Sequence, residues 1–300
     1  MGQRVLVTGS TGVLGRRVVP RLAEAGHAVT AVVRSAGKAD EVRAAGATPI
    51  EVDLFDRQAM RQALTGHDSV AHLATHIPTG PSALRRSAWR TNDSLRRNAA
   101  TTIAEAAVDA GVGRMIQESI TFPYVDRGEE WIDEQCERDY YWVNESSAAA
   151  EAAAASVTAA GGAGIVLRFA MFMAADSAHT QSTVSAARKG LFAIVGALDA
   201  YLSFIHIDDA AAGVVAALDA PAGIYNLAEP EPVRRTQHRD ALAELVGRTK
   251  LRHVPAVVER TGGDVVSSLA RSHRISSQRF RDASSWMPTI PCVDRWKELR

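Results

Sequence analysis

The sequence predicts an α/β fold, a doubly wound parallel sheet with a smaller, discontinuous C-terminal lobe. Short apolar runs alternate with helical stretches through the first half of the chain, a pattern typical of a parallel sheet with helices on both faces. The first run leads directly into a glycine-rich turn and a helix. The predicted strands are residues 5–8, 28–33, 48–52, 69–73, 114–118, 164–169 and 224–227, and the predicted helices lie near 13–25, 37–45, 57–64, 93–110, 145–160, 208–218 and 235–246.

The glycine-rich turn spans residues 8–15, Thr-Gly-Ser-Thr-Gly-Val-Leu-Gly. In a strand–turn–helix of this kind, the first glycine permits the tight turn, the second lets the backbone approach a pyrophosphate, and the third lets helix and strand pack closely. The phosphates accept hydrogen bonds from N–H groups at the positive end of the helix. The turn therefore predicts a Rossmann-type dinucleotide site, with a ligand-free tight turn as the alternative. The expected cofactor contacts here are Gly9, Thr11, Gly12, Val13, Leu14 and Gly15.

The end of the second predicted strand favours NADP over NAD. An acidic residue there would bind the ribose hydroxyls of NAD, whereas a cation accommodates a 2′-phosphate. The strand ends at Arg34, whose planar guanidinium suits a phosphate, and Arg16 could add a second charge. Alternatively, Arg34 is an ordinary solvated loop residue that binds no phosphate. Asp53 and Leu54 are expected to contact the adenine, and a helix N-cap is the alternative role of Asp53.

Bulk properties narrow the class of protein. The 300 residues carry 34 Lys plus Arg and 34 Asp plus Glu, which give a formal net charge of zero. This balance argues against nucleic acid or an anionic membrane as the main partner. The 2 cysteines form no disulfide framework or metal cluster, so no metal is expected. We expect a cytoplasmic protein without a signal peptide or membrane span.

The chain divides into a predicted dinucleotide-binding core, residues 1–170, and a lobe, residues 171–300, that is mainly for substrate binding. Within the lobe, residues 204–228 are expected to return to the core. The expected partner is a small-molecule substrate. The helices near 93–110 and 145–160 favour a homodimer, because small side chains let another helix approach closely; packing on the protein's own sheet is the alternative.

Several ordered sequence blocks resemble the extended short-chain dehydrogenase/reductase family, the epimerase/dehydratase-like group. The glycine turn and the Asp-Leu pair at 53–54 carry the resemblance together with the blocks at 70–74, 111–116, 166–168, 204–210, 223–227 and 286–288. The resemblance covers nearly the whole chain. It implies an NAD(P) cofactor and a catalytic Ser or Thr after the fifth strand. It also implies a Tyr-x-x-x-Lys dyad, in which Tyr exchanges the proton and Lys lowers its pKa and binds the nicotinamide ribose.

The dyad is missing from this chain. Alignment on the Ala-Glu pair at 150–151 puts Val143 at the Tyr position and Ser147 at the Lys position. Alignment on Tyr140 puts Asn144 at the Lys position and loses the Ala-Glu match. Depending on the register, the position of the catalytic hydroxyl falls on Ile120, with Ser119 and Thr121 on either side. The sequence therefore indicates an atypical member of the group.

Other residues are then candidates for the chemistry. Ser119 is expected to line the nicotinamide pocket, and Tyr124 is expected to touch the substrate; both are predicted catalytic residues. Leu73 and Ala74, after the fourth strand, are predicted cofactor contacts. Further candidates near the site are Tyr140, Tyr141 and His76, and the acidic loop 126–134 is expected to cover the pocket. Two groups are expected to be structural: His72 in the core, and His206 with Asp208 and Asp209 as a helix cap.

The sequence thus predicts an NADP-dependent oxidoreductase or epimerase-like enzyme acting on a small carbonyl or hydroxyl substrate with unconventional acid/base groups. Two alternatives remain open. The missing dyad also fits a non-catalytic NADP-binding redox sensor. The same fold also serves isomerisation, cyclisation or dehydration without net redox change.

Overall fold

The central sheet of the computed structural model, which describes residues 2–254 and 261–299, has seven parallel strands. When the seven strands are numbered by their position in the sequence, they lie side by side in the order third, second, first, fourth, fifth, sixth and seventh. The order reverses between the first and fourth strands, which is where dinucleotides bind in open α/β sheets. The strands are β1 (Arg4–Thr8), β2 (Ala28–Val33), β3 (Thr48–Glu51), β4 (Ser69–His72), β5 (Arg114–Ile120), β6 (Ala163–Phe169) and β7 (Gly223–Leu227).

Helices cover both faces of this sheet. On one face α1 packs against α8, and on the other α3, α5 and α6 pack side by side. The helices are α1 (Gly15–Glu24), α2 (Ala39–Ala44), α3 (Arg57–Leu64), α4 (Arg90–Ser94), α5 (Ala100–Asp109), α6 (Ser146–Ala159), α7 (Ala178–Arg188), α8 (Ile207–Ala216), α9 (Arg235–Leu245), α10 (Gly263–Ala270), α11 (Gln278–Ala283) and α12 (Cys292–Arg295). The predicted α/β class is therefore confirmed.

The buried strands explain why the apolar runs are continuous. In β1, Val5 and Val7 join the hydrophobic cluster on the α1 side, while Leu6 joins the cluster on the α5 side. Successive side chains of a strand point to opposite faces, so a strand covered on both sides is apolar at every position.

The predicted helix near 93–110 has an irregular start. Between α4 and α5 the chain forms a π-helical turn, Leu95–Ala99, in which Arg96 is buried and Arg97 is exposed. Single π-helical turns are frequent at functional sites. This turn lies at the amino end of α5 and packs against α6.

The C-terminal half adds short strand pairs and a separate hydrophobic cluster that contains Phe192, Leu242 and Trp296. The pairs are Met171–Met173 with Phe204–His206, Leu191–Phe192 with Arg252–His253, Tyr201–Leu202 with Val233–Arg234, and Trp131–Ile132 with Arg274–Ile275. None of the helices in the described ranges is both long and apolar enough to span a bilayer.

The block at 204–210 is structural. His206, expected to cap a helix together with Asp208 and Asp209, is the N-cap of α8, and its ring Nδ1 accepts from the Asp208 N–H at 3.3 Å. The buried Asp209 carboxylate accepts the N–H groups of Thr289 and Ile290 at 3.0 and 2.9 Å. These bonds tie the C-terminal segment to the start of α8.

Candidate functional site

Two of the three turn glycines are required by the fold itself. Gly9 has φ +70°, and a Cβ there would lie 2.7 Å from the Leu73 carbonyl oxygen and the Ala74 nitrogen. A Cβ on Gly15 would lie 2.1 Å from the Gly9 carbonyl oxygen. Only glycine permits these contacts. The predicted cofactor contacts Leu73 and Ala74 thus lie directly against the glycine turn.

Gly12 is different, because the described chain leaves room beside it. A Cβ there would meet a single atom within 4 Å, the Gly9 carbonyl oxygen at 3.2 Å. The start of α1 is also open to an anion: its N-cap, Leu14, makes no side-chain cap, and the first turn has no acidic residue. Space at Gly12 beside a positive helix end fits a pyrophosphate.

The glycine turn is anchored to β2 and β4. Ser10 donates its hydroxyl to the Val32 carbonyl at 2.7 Å. The hydroxyl of Thr8 lies 2.7 Å from His72 Nδ1, and His72 is buried. Burial lowers the pKa of His72 to about 4, so its ring is neutral. The prediction that His72 is a core residue is confirmed.

The two arginines considered for a 2′-phosphate differ in their surroundings. Arg34 is exposed at the end of β2, and no ion pair with it occurs among the described residues. Arg16 instead pairs with Asp176 at 2.7 Å, and Arg17 binds the same carboxylate at 2.9 Å. Of the two arginines, Arg16 shares the Asp176 carboxylate with Arg17, and Arg34 has no charged partner among the described residues.

The alternative role given to Asp53 was wrong. The N-cap of α3 is Asp56, which accepts from the Ala59 N–H at 3.0 Å. Asp53 accepts from the Phe55 N–H at 3.0 Å in a local turn. Leu54 is half-buried and packs against the cluster on the α5 side.

Ser119 belongs to a buried charged cluster between β5, β6 and α6. Its hydroxyl donates to Glu151 at 2.7 Å, and Arg168 donates to both oxygens of Glu151 at 2.8 and 2.7 Å. Burial acts to raise the pKa of Glu151, but the hydrogen bonds and charge of Arg168 outweigh it, so that pKa is lowered. The Ser119 side chain is completely buried, so its hydroxyl is occupied by an internal bond.

Tyr124 extends the same cluster. Its hydroxyl accepts from Arg168 at 2.6 Å and donates to Asn226 at 2.8 Å, and none of its surface is exposed. Burial raises the pKa of Tyr124 to about 12. For either hydroxyl, proton donation to a substrate would require these bonds to be exchanged, and catalysis by Ser119 or Tyr124 stays a prediction.

The two positions at which the alignment on the Ala-Glu pair expects Tyr and Lys hold buried, neutral side chains. Val143 is 6 % exposed and packs in an apolar cluster with Trp89 and Val265. Ser147 is fully buried, and its hydroxyl donates to the Asn144 carbonyl at 2.7 Å. Neither side chain can take part in proton transfer as the usual pair does.

The remaining candidates are distributed around this region. Tyr140 is half-buried with Arg138 over its ring, and burial raises its pKa. The His76 side chain is exposed. The acidic loop contacts residues 272–274: Asp126 accepts the Ser272 N–H at 2.7 Å, and Arg274 lies over Trp131. Its role as a pocket cover stays a prediction.

One buried pair was missed by the sequence reasoning. Arg96 donates through Nη2 to both oxygens of Glu118, at 2.9 and 3.2 Å, and the side chains are only 2 % and 6 % exposed. The available signal was a carboxylate inside an apolar strand, because an unpaired charge is rarely buried. The prediction of strand 114–118 included Glu118 without assigning it a partner.

Comparison with known proteins identifies the family. Residues 9–221 match the model of a family described as NAD(P)H-binding. The chain is 29 % identical over 301 residues to the 3-diazoavenalumate denitrifying reductase of a Streptomyces species, which covers 96 % of this chain and 97 % of that protein. It is also 27 % identical over 280 residues to the 4-hydroxy-2-methyl-3-oxo-4-farnesyl-3,4-dihydroquinoline-1-oxide ketoreductase of Stigmatella aurantiaca. This match covers 90 % of this chain and 81 % of the ketoreductase.

The fold agrees with the sequence match. The structure of human epimerase family protein SDR39U1 with NADPH superposes with a TM-score of 0.79 at 20 % identity, over 99 % of this chain and 98 % of that chain. The chain belongs to the NAD(P)H-binding family and has the fold of the epimerase-type short-chain dehydrogenases. The family resemblance predicted from the sequence is therefore confirmed.

Proposed function

We propose that this chain is an NADPH-dependent reductase that delivers hydride to a small electrophile without a tyrosine acid. The observation that carries the proposal is that Val143 and Ser147, which the alignment on the Ala-Glu pair places at the Tyr and Lys positions, are buried and neutral. The open space at Gly12 supports retained cofactor binding. An enzyme that keeps its cofactor cradle and lacks its proton relay is suited to a reaction that consumes hydride alone.

Each part of the cofactor has a group to hold it. The N–H groups around Gly12 and Leu14 would bind the pyrophosphate, Arg34 the 2′-phosphate, and Asp53 the adenosine end. The strand end at 73–74 would support the nicotinamide half. When bound, NADPH supplies a hydride from its nicotinamide ring. The choice of NADPH over NADH rests on the free guanidinium of Arg34.

The proton requirement separates two substrate classes. Reduction of a carbonyl to an alcohol forms one C–H and one O–H bond, so it consumes a hydride and a proton. Replacement of an aryl diazonium group by hydrogen forms one C–H bond and breaks the C–N bond, whose electron pair leaves with dinitrogen. No proton is consumed. The Streptomyces relative is named a denitrifying reductase of a diazo compound, and we propose an aryl diazo compound as this chain's substrate class.

A deuterium-transfer assay tests the proposal. The protein is incubated with NADPH deuterated on one face of C4 and either an arenediazonium salt or an aryl ketone. We expect NADPH binding, stereospecific deuterium transfer to the arene ring carbon, and no proton uptake in weakly buffered solution. A Gly12→Val variant is the control for direct reaction between the salt and NADPH. If the protein reduced the ketone and not the arenediazonium salt, the proposed aryl diazo substrate class would be wrong.

The second candidate is a non-catalytic NADP-binding sensor. The apolar cluster of Val143, Trp89 and Val265 favours it, because it occupies the place where the resemblance puts the acid. Under this alternative the same assay gives tight NADPH binding and no deuterium transfer to either substrate class. Absence of NADPH binding would refute both candidates.

A further inference from the structure

α6 supplies no positive charge at the position of the usual lysine. Ser147 is neutral, and its hydroxyl is used within its own turn. In the resemblance described above, that lysine binds the nicotinamide ribose. A chain that still holds NADPH therefore needs another group for the two ribose hydroxyls.

A buried cation lies on the element that packs against α6. Arg96 projects from the π-helical turn Leu95–Ala99 and forms its ion pair with Glu118 of β5. Its Nε is buried and has no hydrogen-bond partner among the described residues. Leaving such a donor unpaired is costly, and an acceptor on a ligand would satisfy it.

Internal contacts connect this pair to the glycine turn. The Leu95 carbonyl lies 3.4 Å from His72 Nε2, and His72 Nδ1 lies 2.7 Å from the Thr8 hydroxyl. Thr8 immediately precedes Gly9. The pair therefore lies beside the carboxyl ends of β1, β4 and β5, where the nicotinamide half of a dinucleotide extends from the glycine turn.

We propose that Arg96 and Glu118 form the ribose-binding element of the cofactor site, in place of the lysine that Ser147 replaces. A carboxylate accepts from ribose hydroxyls, and the guanidinium Nε donates to a ribose oxygen. The inference rests on the proposed NADPH-dependent function. Since both side chains are buried, the π-helical turn must open when the nicotinamide half binds.

The test uses a variant that removes both charges, Arg96→Met with Glu118→Met. Removing both partners avoids leaving one buried charge unpaired, the change that destabilises most strongly. Arg97→Met is the matched control, because Arg97 lies on the same turn but is exposed and pairs with Glu145 at 3.0 Å. The two ligands are NADPH and adenosine 2′,5′-bisphosphate, which lacks the nicotinamide half.

We expect the double variant to bind NADPH about tenfold more weakly, the ratio for losing one hydrogen bond to a charged group, with unchanged affinity for adenosine 2′,5′-bisphosphate. The Arg97→Met control should match the wild type for both ligands. Unchanged NADPH affinity in the folded double variant would overturn the inference, and so would equal weakening of both ligands. A wild type that binds neither ligand would refute the proposed function itself.

Hydrogen exchange on the wild type gives a second test that needs no variant. NADPH should change amide exchange in residues 95–99, and adenosine 2′,5′-bisphosphate should not. Equal effects of the two ligands, or no effect of either while both bind, would contradict opening of the turn by the nicotinamide half.

Discussion

Replacing Gly12 with alanine should abolish cofactor binding while leaving the fold intact. The new Cβ would meet only the Gly9 carbonyl oxygen, at 3.2 Å, and Gly12 is not in the left-handed region. A shift of a few tenths of an ångström relieves that contact. Because alanine also restricts the unfolded chain, the free energy of unfolding should change by less than about 1 kcal/mol. The methyl group would occupy the space that a pyrophosphate needs.

Thermal unfolding with and without NADPH measures both effects. For the wild type, NADPH at 100 times its Kd adds about 2.7 kcal/mol to the free energy of unfolding. For a chain of 300 residues, that stabilisation raises Tm by about 4 °C. The Gly12→Ala variant should have a near-normal Tm without ligand and no rise with it.

Gly15→Ala is the contrasting variant, because its Cβ would lie 2.1 Å from the Gly9 carbonyl oxygen. Backbone must move to relieve this contact, at a cost of about 1–3 kcal/mol, so Tm should fall even without ligand. A normal NADPH-induced rise in Tm for Gly12→Ala would refute the pyrophosphate assignment.

Three further changes test the site and the buried titratable groups. Arg34→Ala should weaken NADPH binding by about 10- to 100-fold and NADH binding little, since only NADPH carries the 2′-phosphate; calorimetry measures both. Val143→Tyr with Ser147→Lys should lower the free energy of unfolding in urea by at least about 1–3 kcal/mol through overpacking, without creating carbonyl reductase activity. Burial lowers the pKa of three histidines to about 4, so acidification from pH 7 to pH 5 should destabilise the fold by about 2 kcal/mol for each, measured by urea unfolding. They are His72, His238 and His273.

Each of these outcomes has a control. Arg43→Ala changes an exposed arginine that pairs with Asp40, and it should affect neither cofactor; equal losses of NADPH and NADH in Arg34→Ala would contradict the phosphate role. A stable double variant at 143 and 147 with new ketone reduction would show that the dyad alone was missing. For the histidines, the folded pKa lies below the unfolded value of 6.5, so stability is full above pH 6.5 and is lost on acidification. If a His238→Asn variant kept the full loss of stability between pH 7 and pH 5, His238 would not contribute to that loss.

The fold and the cofactor cradle could be predicted from the sequence because both depend on local signals. Continuous apolar runs such as 5–7 predict strands buried on both faces, and Gly9 and Gly15 are required by contacts within a few residues of the turn or with the adjacent strand end. The prediction that the dyad is missing is also local, since it depends on residue types at a fixed spacing along the chain.

Tertiary structure alone decided which polar groups are free. Ser119 lies near the end of β5 and Tyr124 comes just after it, but their partners Glu151 and Asn226 come from distant parts of the chain. Arg16 and Arg34 carry the same charge, but among the described residues Arg16 has an ion-pair partner, Asp176, and Arg34 has none. A hydroxyl or guanidinium becomes available or occupied through contacts between residues far apart in sequence, and periodicity and spacing carry no information about such contacts.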